Sequence, residues 1–222
     1  MSDVRFSVPL KYRRGSQRGD ERASVDSALR QLDYLGSLRP VEGSAMLDFG
    51  CGVKLSQALY ERDSPQQVYV GLDVYGELIE HLQARLRDDP KYQYATVDFH
   101  NAMYNRQGRK MTPESELPIA PQSFDIITLF SVITHMAPED AAAILHILRR
   151  YAAGHTLLLF STFVDDTLDT DFVDEDSARP LLRARYRRAF IEGITRDAGW
   201  RIEALRPPLR GLIQHHFICY PA

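Results

Sequence analysis

The sequence predicts an α/β fold built on a mostly parallel sheet. Short, continuous apolar runs alternate with segments of helical periodicity along most of the 222 residues. Strands that are apolar on both faces are typical of parallel sheets covered by helices on each side. The length, with 44% hydrophobic and 26% charged residues, suits one large domain over residues 1–222.

The expected elements follow in chain order. A helix with apolar residues at helical spacing covers 23–35, and Gly36 is a plausible C-cap. Pro138 at a first helical position, followed by two acids, opens another helix. The remaining strands are expected near 45–47, 68–73, 92–98, 125–130, 156–163, 200–205 and 213–220, and the remaining helices near 78–86 and 181–198.

Three segments fall outside this regular pattern. Residues 1–22 form a basic N-terminal arm, which is either a disordered tail or a strap that folds over a ligand. Residues 99–124 exceed the length of a plain connection, so we expect them to cap the molecule or bind substrate. Residues 164–180 are strongly acidic and precede several arginines. They are either a solvated loop offset by a basic helix face or a cover over the acceptor site.

Composition narrows the class of protein. Two cysteines are too few for a secreted disulfide framework. No apolar run approaches the ~18 residues of a membrane span, and the N-terminus lacks the apolar core of a signal peptide. The net charge of −3 argues against a dedicated nucleic-acid binder. We therefore expect a cytoplasmic protein without a membrane partner, and the oligomeric state, a homodimer included, stays open.

Glycines and acids follow successive strands. In parallel sheets ligands bind beyond the carboxyl ends of the strands. Gly50 and Gly52 allow the backbone to approach a ligand, and the helix that follows offers free N–H groups. Asp73, 21 residues after Gly52, can accept hydrogen bonds from ribose hydroxyls. Leu55 occupies the sixth position of a Gly-x-Gly-x-x-Gly pattern, so the dinucleotide fingerprint is broken and a nicotinamide-dependent oxidoreductase is disfavoured.

These residues resemble the class I S-adenosylmethionine-dependent methyltransferases. The first motif of that family, Asp-x-Gly-x-Gly-x-Gly, resembles residues 48–54, except that Lys54 replaces the third glycine. Lys54 either extends into solvent or touches the methionine carboxylate of the cofactor. The matches to later family motifs are Asp73 after strand two, Asp98 after strand three, residues 123–136 around strand four and residues 198–200 before strand six.

The resemblance implies a Rossmann-like, doubly wound sheet of seven strands with an antiparallel last strand, helices on both faces and S-adenosylmethionine as cofactor. It implies that Asp48 and Gly50 bind the methionine part, that Gly52 passes close to the donor and that Asp73 binds the ribose. Adenine would meet Val74 or Tyr75 together with Asp98 and Phe99. Phe130 and Ser131 would line the sulfonium end, and Tyr12 and Arg13 would close over the methionine carboxylate.

Histidines supply the candidate bases. A hydroxyl acceptor needs a base, and His135 follows strand four with an imidazole that titrates near pH ~6.5. Alternatively, His135 braces the helix near Pro138. His216, in a pair with His215, is a second catalytic candidate, or both are a partly buried pair at a strand start. Asp165 and Asp166 with His135 could hold Mg²⁺, although the spacing carries no specific signature.

The leading hypothesis is methyl transfer to a small molecule, at oxygen rather than nitrogen because a candidate base is present. A sugar or another polyol fits the polar loops. A nucleic-acid methyltransferase is less favoured, because enzymes of this fold that methylate DNA amino groups usually carry an Asn/Asp-Pro-Pro-aromatic turn where this chain has residues 130–133. A non-catalytic scaffold that binds the cofactor is the third alternative.

Overall fold

The computed structural model describes residues 4–176, 178–208 and 213–222. It divides the chain into two compact units, Met1–Thr96 and Val97–Ala222, which we call the first and second unit. The α/β fold with mostly parallel strands and an antiparallel last strand is confirmed. The assignment of all residues to one domain stays a prediction.

In its described residues, 4–96, the first unit has three parallel strands, three α-helices and a short 3₁₀ helix (Leu10–Tyr12). Strand β1 pairs with β2, and β2 pairs with β3. In chain order the elements are α1 (Glu21–Leu38), β1 (Ala45–Phe49), α2 (Lys54–Glu61), β2 (Val68–Asp73), α3 (Gly76–Leu86) and β3 (Tyr92–Thr96). The third strand is two residues shorter than expected, and Asp98 therefore follows it in a loop.

Helix α1 is longer than expected at both ends. It starts at Glu21 and is capped by Asp20, whose carboxylate accepts a hydrogen bond of 3.0 Å from the Ala23 N–H. At the other end the helix continues through Gly36, so the C-cap prediction was wrong. Leu35 is fully buried and its carbonyl accepts the Arg39 N–H, which keeps the last turn helical. Pro40 then disfavours a helical conformation at the residue before it.

The N-terminal arm is folded against the first unit. Phe6 and Val8 are fully buried. The Phe6 N–H donates to the Glu61 carboxylate at 2.7 Å, and its carbonyl accepts from the Gln57 amide at 2.6 Å. The Val8 N–H donates to Glu21 at 2.8 Å. The arm from residue 4 onward is therefore ordered, and the disordered-tail alternative was wrong for it. Residues 1–3 lie outside the described residues.

The second unit has a mixed sheet. Strand β4 pairs with β5 in parallel, β5 pairs with β9 antiparallel, and β9 pairs with β8 antiparallel. The elements are β4 (Phe124–Leu129), a 3₁₀ turn (Ile133–His135), α4 (Pro138–Arg149), β5 (Ala152–Val164), β6 (Phe172–Asp174), β7 (Ala184–Tyr186), α5 (Arg188–Asp197), β8 (Trp200–Arg206) and β9 (His215–Pro221).

Residues 165–188, which we call the cap segment, contain two short strands beyond the seven expected. Strands β6 and β7 pair antiparallel, and β7 pairs with the end of β5. The helix expected near 181 begins only at Arg188, because Ala184 and Tyr186 are buried on either side of a more exposed Arg185, a period of two. Residue 177, in the predicted loop 164–180, lies outside the described residues.

The acids of the cap segment are offset within the segment itself. Asp176 pairs with Arg179, Glu175 with Arg183 and Arg185, Asp165 with Arg185, and Asp171 with Arg187. The basic partners precede α5 rather than forming a helix face, so that part of the expectation was wrong. Both cysteines, Cys51 and Cys219, are buried free thiols. Among the helices that the structure describes, none has the length and hydropathy of a bilayer span.

Candidate functional site

The turn after β1 places glycine backbone beside open space. Gly50 and Gly52 have φ angles of +68° and +50°, a region that side-chain-bearing residues rarely adopt. The N–H groups of Gly50 and Cys51 both donate to the Leu72 carbonyl, at 2.7 and 3.0 Å, which holds the turn against β2. A Cβ built at Gly52 would meet no heavy atom within 4 Å. A ligand can therefore approach this backbone closely.

Asp73, at the end of β2, points at this turn. One carboxylate oxygen accepts the Gly52 N–H at 3.0 Å, and the other accepts the Tyr75 N–H at 3.0 Å. Burial raises the pKa of Asp73, while these backbone donors and the charge of Arg14 lower it. Each oxygen of an ionised carboxylate has a second acceptor position, so the carboxylate can still receive hydroxyl donors.

Asp48 is buried inside β1 and has a partner that sequence analysis missed. The Tyr69 hydroxyl donates to its Oδ2 at 2.7 Å. Tyr69 is itself fully buried, and burial together with the Asp48 charge raises the pKa of the phenol. A buried carboxylate requires a donor. The acid in the apolar β1 run was the available signal that a neighbouring strand supplies one.

The N-terminal arm places Tyr12 against the start of α3, the helix that follows Asp73. The buried Tyr12 ring lies 5.8 Å from the Tyr75 ring and 5.0 Å from the His81 ring, between centroids. Arg13 makes its contacts within the N-terminal arm: its Nε donates to the Val8 carbonyl at 2.7 Å, and its Nη2 lies 3.4 Å from Glu21. Tyr12 therefore lies beside the expected adenine-flanking residue, and Arg13 is bound within the arm.

Lys54, the residue in place of the third glycine, is half-buried. Its Nζ donates to the Ser27 hydroxyl on α1 at 3.1 Å, and a Cβ added to Gly15 would lie 3.7 Å from it. Burial, followed by the charge of Arg30, lowers the pKa of the amine. The alternative that Lys54 extends into solvent was wrong, because the first turn of α2 packs against α1 and directs the side chain along it.

The residues that follow these first positions differ in exposure. Val74 is half-buried after β2. Asp98 is exposed and pairs with Arg109 at 3.5 Å and with the Asn105 amide at 3.2 Å. Phe99 is buried, and a Cβ at Gly108 would lie 2.4 Å from its backbone. The segment 99–124 thus folds back on Phe99, with a glycine where the two backbones meet.

A closed ring of hydrogen bonds surrounds Ser131, after β4 in the second unit. The Ser131 N–H donates to the Ser161 hydroxyl at 2.8 Å, which donates to the Gln214 carbonyl oxygen at 2.7 Å. The Gln214 amide donates back to the Ser131 hydroxyl at 2.5 Å. Ser131 has a φ of +60° although it is not glycine. Sequence analysis missed Ser161 and Gln214, which are 30 and 83 residues away.

His135 ends the 3₁₀ turn after β4, and the cap segment fixes its protonation. Its Nδ1 lies 3.1 Å from the Leu181 carbonyl oxygen. Because a carbonyl only accepts, we assign the ring proton to Nδ1, which leaves a lone pair on Nε2. Burial lowers the pKa of the imidazole below its usual 6.5, and the carbonyls of Leu181 and Leu182 partly oppose this shift. The ring is therefore neutral at neutral pH, with Nε2 able to accept a proton.

His216 is more deeply buried than His135. It lies opposite Ser161 on β5, only 3% exposed, and its ring centroid is 6.3 Å from that of Phe130. Burial, with the neighbouring charge of His215, lowers its pKa to about 4. His215, opposite Thr162, is half-buried. The pair thus alternates in exposure, and His216 is the interior member.

The acids proposed for magnesium are engaged elsewhere. Asp165 accepts from the N–H and hydroxyl of Thr167 at 3.0 and 2.6 Å, and Asp166 accepts the Arg188 N–H at 3.0 Å. Within the described parts of the chain, no three His, Cys, Asp or Glu side chains come together as a metal site. The structure gives no support to a site made of Asp165, Asp166 and His135.

Comparison with known proteins agrees with this geometry. Residues 47–155 match the family of methyltransferase domains. A TehB-like S-adenosylmethionine-dependent methyltransferase from Corynebacterium glutamicum superposes with a TM-score of 0.56 at 14% identity, over 88% of this chain and 87% of that one. Magnesium protoporphyrin IX methyltransferase from Synechocystis PCC 6803, solved with bound S-adenosylmethionine, superposes with a TM-score of 0.59 at 14% identity, over 95% of this chain and 86% of that one.

A third similar structure is the mitomycin 7-O-methyltransferase, with a TM-score of 0.62 at 14% identity, over 93% of this chain and 56% of that one. At such identities the structures demonstrate a shared fold, and the domain match covers residues 47–155. Residues 47–155 therefore match a methyltransferase domain, and the chain shares the Rossmann-like fold of S-adenosylmethionine-dependent methyltransferases.

Proposed function

We propose that this enzyme transfers a methyl group to a hydroxyl of a small molecule and that His135 is the general base. The observation that carries the proposal is the 3.1 Å contact between His135 Nδ1 and the Leu181 carbonyl, which assigns the unprotonated nitrogen to Nε2. S-Adenosylmethionine, when bound, supplies an electrophilic methyl group. A hydroxyl becomes a good nucleophile only as its proton leaves, and a positioned base contributes about 10²–10⁴-fold.

The proposed cofactor residues fit an adenosyl ligand. The open space at Gly52 admits a ligand against the backbone, and the Asp73 carboxylate has acceptor capacity for two ribose hydroxyls. We propose that the cofactor is bound by Tyr12, Asp48, Gly50, Gly52, Asp73, Val74, Asp98, Phe99, Phe130 and Ser131. Arg13 is not part of this proposal, because its guanidinium is bound within the arm.

Lys54 is proposed to bind the methionine carboxylate. It is a half-buried amine at the first residue of α2, two positions after Gly52. Its hydrogen-bond acceptor is the neutral hydroxyl of Ser27, so the positive charge is not offset by that contact. Burial already lowers the pKa of the amine, and an anionic ligand would restore the stability of its charged form.

During the reaction His135 would take the hydroxyl proton at Nε2. The Nδ1–H bond to Leu181 then stabilises the charged ring, since hydrogen bonds from ionised donors are stronger than neutral ones. Because the pKa of His135 is lowered in the folded protein, the base form persists below pH 6.5. The rising limb of the pH–rate profile is therefore expected on the acid side of pH 6.5.

Support for a small acceptor comes from two features. The mitomycin and magnesium protoporphyrin enzymes, which share the fold, are named for small molecules. The cap segment next to His135 is rich in charged and polar side chains, which suits a sugar or another polyol.

We also propose a cytoplasmic location, which the two free buried thiols suit.

The test is His135→Gln assayed with a panel of sugars, polyols and phenols and with labelled S-adenosylmethionine. Turnover should fall at least about 100-fold, while calorimetric affinity for S-adenosylhomocysteine stays within about threefold. His146→Gln is the matched control, because its Nδ1 also contacts a backbone carbonyl, that of Ala142 at 3.0 Å. Full activity of His135→Gln would refute the base. Cofactor binding by the wild type without any product would favour a non-catalytic scaffold.

A further inference from the structure

Leu181 lies between His135 and an acid of the cap segment. Its carbonyl oxygen is the partner of His135 Nδ1 at 3.1 Å. Its N–H donates to Asp174 Oδ2 at 2.9 Å. Its φ angle is +58°, although it is a leucine. One residue in an unfavourable backbone conformation thus links the imidazole to a carboxylate.

That conformation needs support from its surroundings. A side-chain-bearing residue in the left-handed region costs roughly 1–2 kcal/mol, and such strain persists only where neighbouring structure enforces it. Asp174 is the last residue of β6 and pairs with Ala184 of β7. The carboxylate is therefore attached to a strand pair, and its hydrogen bond holds Leu181 from a fixed position.

The same strand pair is fastened to the turn that carries His135. Tyr186 of β7 is fully buried, and its hydroxyl donates to the Met136 carbonyl at 2.7 Å. Met136 directly follows His135. The hydrogen bond of Tyr186 thus fixes the distance between β7 and the turn that carries His135. The orientation of the Leu181 carbonyl depends on a different contact, the hydrogen bond between the Leu181 N–H and Asp174.

We propose that Asp174 is a positioning residue for His135: its carboxylate holds Leu181 in the left-handed conformation, and the Leu181 carbonyl then keeps the imidazole proton on Nδ1. The N–H and the carbonyl of Leu181 belong to different peptide planes, whose relative orientation is set by the φ and ψ of this residue. Because Leu181 is held in the left-handed region, the position of its N–H also sets the direction of its carbonyl. The importance of this arrangement for turnover rests on the proposed base function of His135.

The experiment reads the tautomer directly, without an acceptor substrate. The ring nitrogens of His135 in the full-length, ¹⁵N-labelled protein are assigned by NMR with the help of His135→Gln. The wild type should show the Nδ1–H form. In Asp174→Ala the signals should shift towards the Nε2–H form that predominates in free histidine. Asp171→Asn is the matched control, since this acid lies in the same segment and pairs with Arg187 instead.

A second substitution separates positioning from general damage to the cap segment. Glycine adopts positive φ without strain, so Leu181→Gly removes the need for Asp174 to enforce the conformation. The double variant Asp174→Ala/Leu181→Gly should recover the Nδ1–H signal, at least in part. Asp174→Asn, which retains an acceptor oxygen, should lie between wild type and Asp174→Ala.

Activity distinguishes this inference from the proposed function. With a working acceptor, Asp174→Ala should lower kcat about tenfold or more, because misplacement of a reacting group by ~1 Å can cost up to ~10²-fold, while KM changes little. An unchanged His135 tautomer in Asp174→Ala would overturn the positioning role. A shifted tautomer with undiminished methylation would instead retain the positioning role and refute His135 as the base.

Discussion

The two regions that we propose for cofactor binding and for proton abstraction are built differently. The proposed cofactor loop, residues 48–54 with Asp73, consists mainly of backbone groups and two carboxylates that lie within 26 residues of one another. The second region, which we call the acceptor-side cluster, comprises the side chains of Ser131, His135 and His216 in the second unit. Ser131 and His135 there depend on partners that are 83 and 46 residues away. Short-range backbone sites can be recognised from spacing, whereas side-chain clusters need the fold.

The two regions also differ in charge. In the proposed cofactor loop the buried Asp48 accepts a hydrogen bond from a phenol, and the half-buried Asp73 accepts from backbone N–H groups. His135 and His216 in the acceptor-side cluster are imidazoles whose pKa is lowered by burial. The first region therefore suits a ligand with hydroxyl and ammonium donors. The second supplies neutral bases, and substitutions in the two should affect different measurements.

The largest effect is expected from Asp73→Asn in the cofactor loop. The amide keeps the shape but loses the charge that would strengthen hydrogen bonds to two ribose hydroxyls, at a cost of about 2.7 kcal/mol, or about 100-fold in affinity. Calorimetric titration with S-adenosylhomocysteine measures it. Asp33→Asn, on the exposed face of α1, is the control and should bind normally. Equal affinity in the two variants would remove Asp73 from the cofactor site.

A somewhat smaller effect concerns His216 in the acceptor-side cluster. Its folded-state pKa of about 4 lies below the unfolded value, so the unfolded chain binds the proton first as the pH falls. Stability from this group is complete above pH ~6.5 and decreases towards pH 4, by about 2 kcal/mol at pH 5.

Urea denaturation at pH 7 and pH 5 tests this prediction. The free energy of unfolding of His216→Gln should fall less between the two pH values than that of wild type, whatever the absolute stability of the variant. His155→Gln, on an exposed part of β5, is the control. Identical pH dependence of wild type and His216→Gln would show that the imidazole has the same pKa in the folded and unfolded states and would contradict the shift.

The smallest effect is expected for Lys54→Met. Loss of one partly solvated charge contact should weaken S-adenosylhomocysteine binding about tenfold, or about 1.4 kcal/mol. Methylthioadenosine, which has no carboxylate, should bind wild type and variant equally. Equal loss for both ligands would indicate that Lys54 only braces α1 through Ser27.

The contrast between the regions explains what the sequence could predict. Continuous apolar runs identified β1 and β2, and Pro138 with its two acids located the start of α4, since each signal is contained within a few residues. The glycine turn after β1 and the place of Asp73 at the end of β2 followed from spacing in the same way. Lys54 was harder, because its course depends on the packing of α2 against α1.

The failures share one physical cause. Gly36 does not end α1, because burial of Leu35 outweighs the local preference of glycine for a cap. The helix expected from residue 181 starts at Arg188, because Tyr186 is buried in a strand pair with residues 172–174 that the neighbouring sequence does not predict. Asp174 and Leu181 were missed for the same reason. In each case, tertiary packing overrides a local propensity.

The crystal structure of the chain with S-adenosylhomocysteine tests the central claim most directly. The account predicts that the ribose hydroxyls lie about 2.6–3.0 Å from the Asp73 carboxylate oxygens and that the ligand packs against the backbone of Gly52. A ribose bound elsewhere, with Asp73 in contact only with the N–H groups of Gly52 and Tyr75, would contradict it.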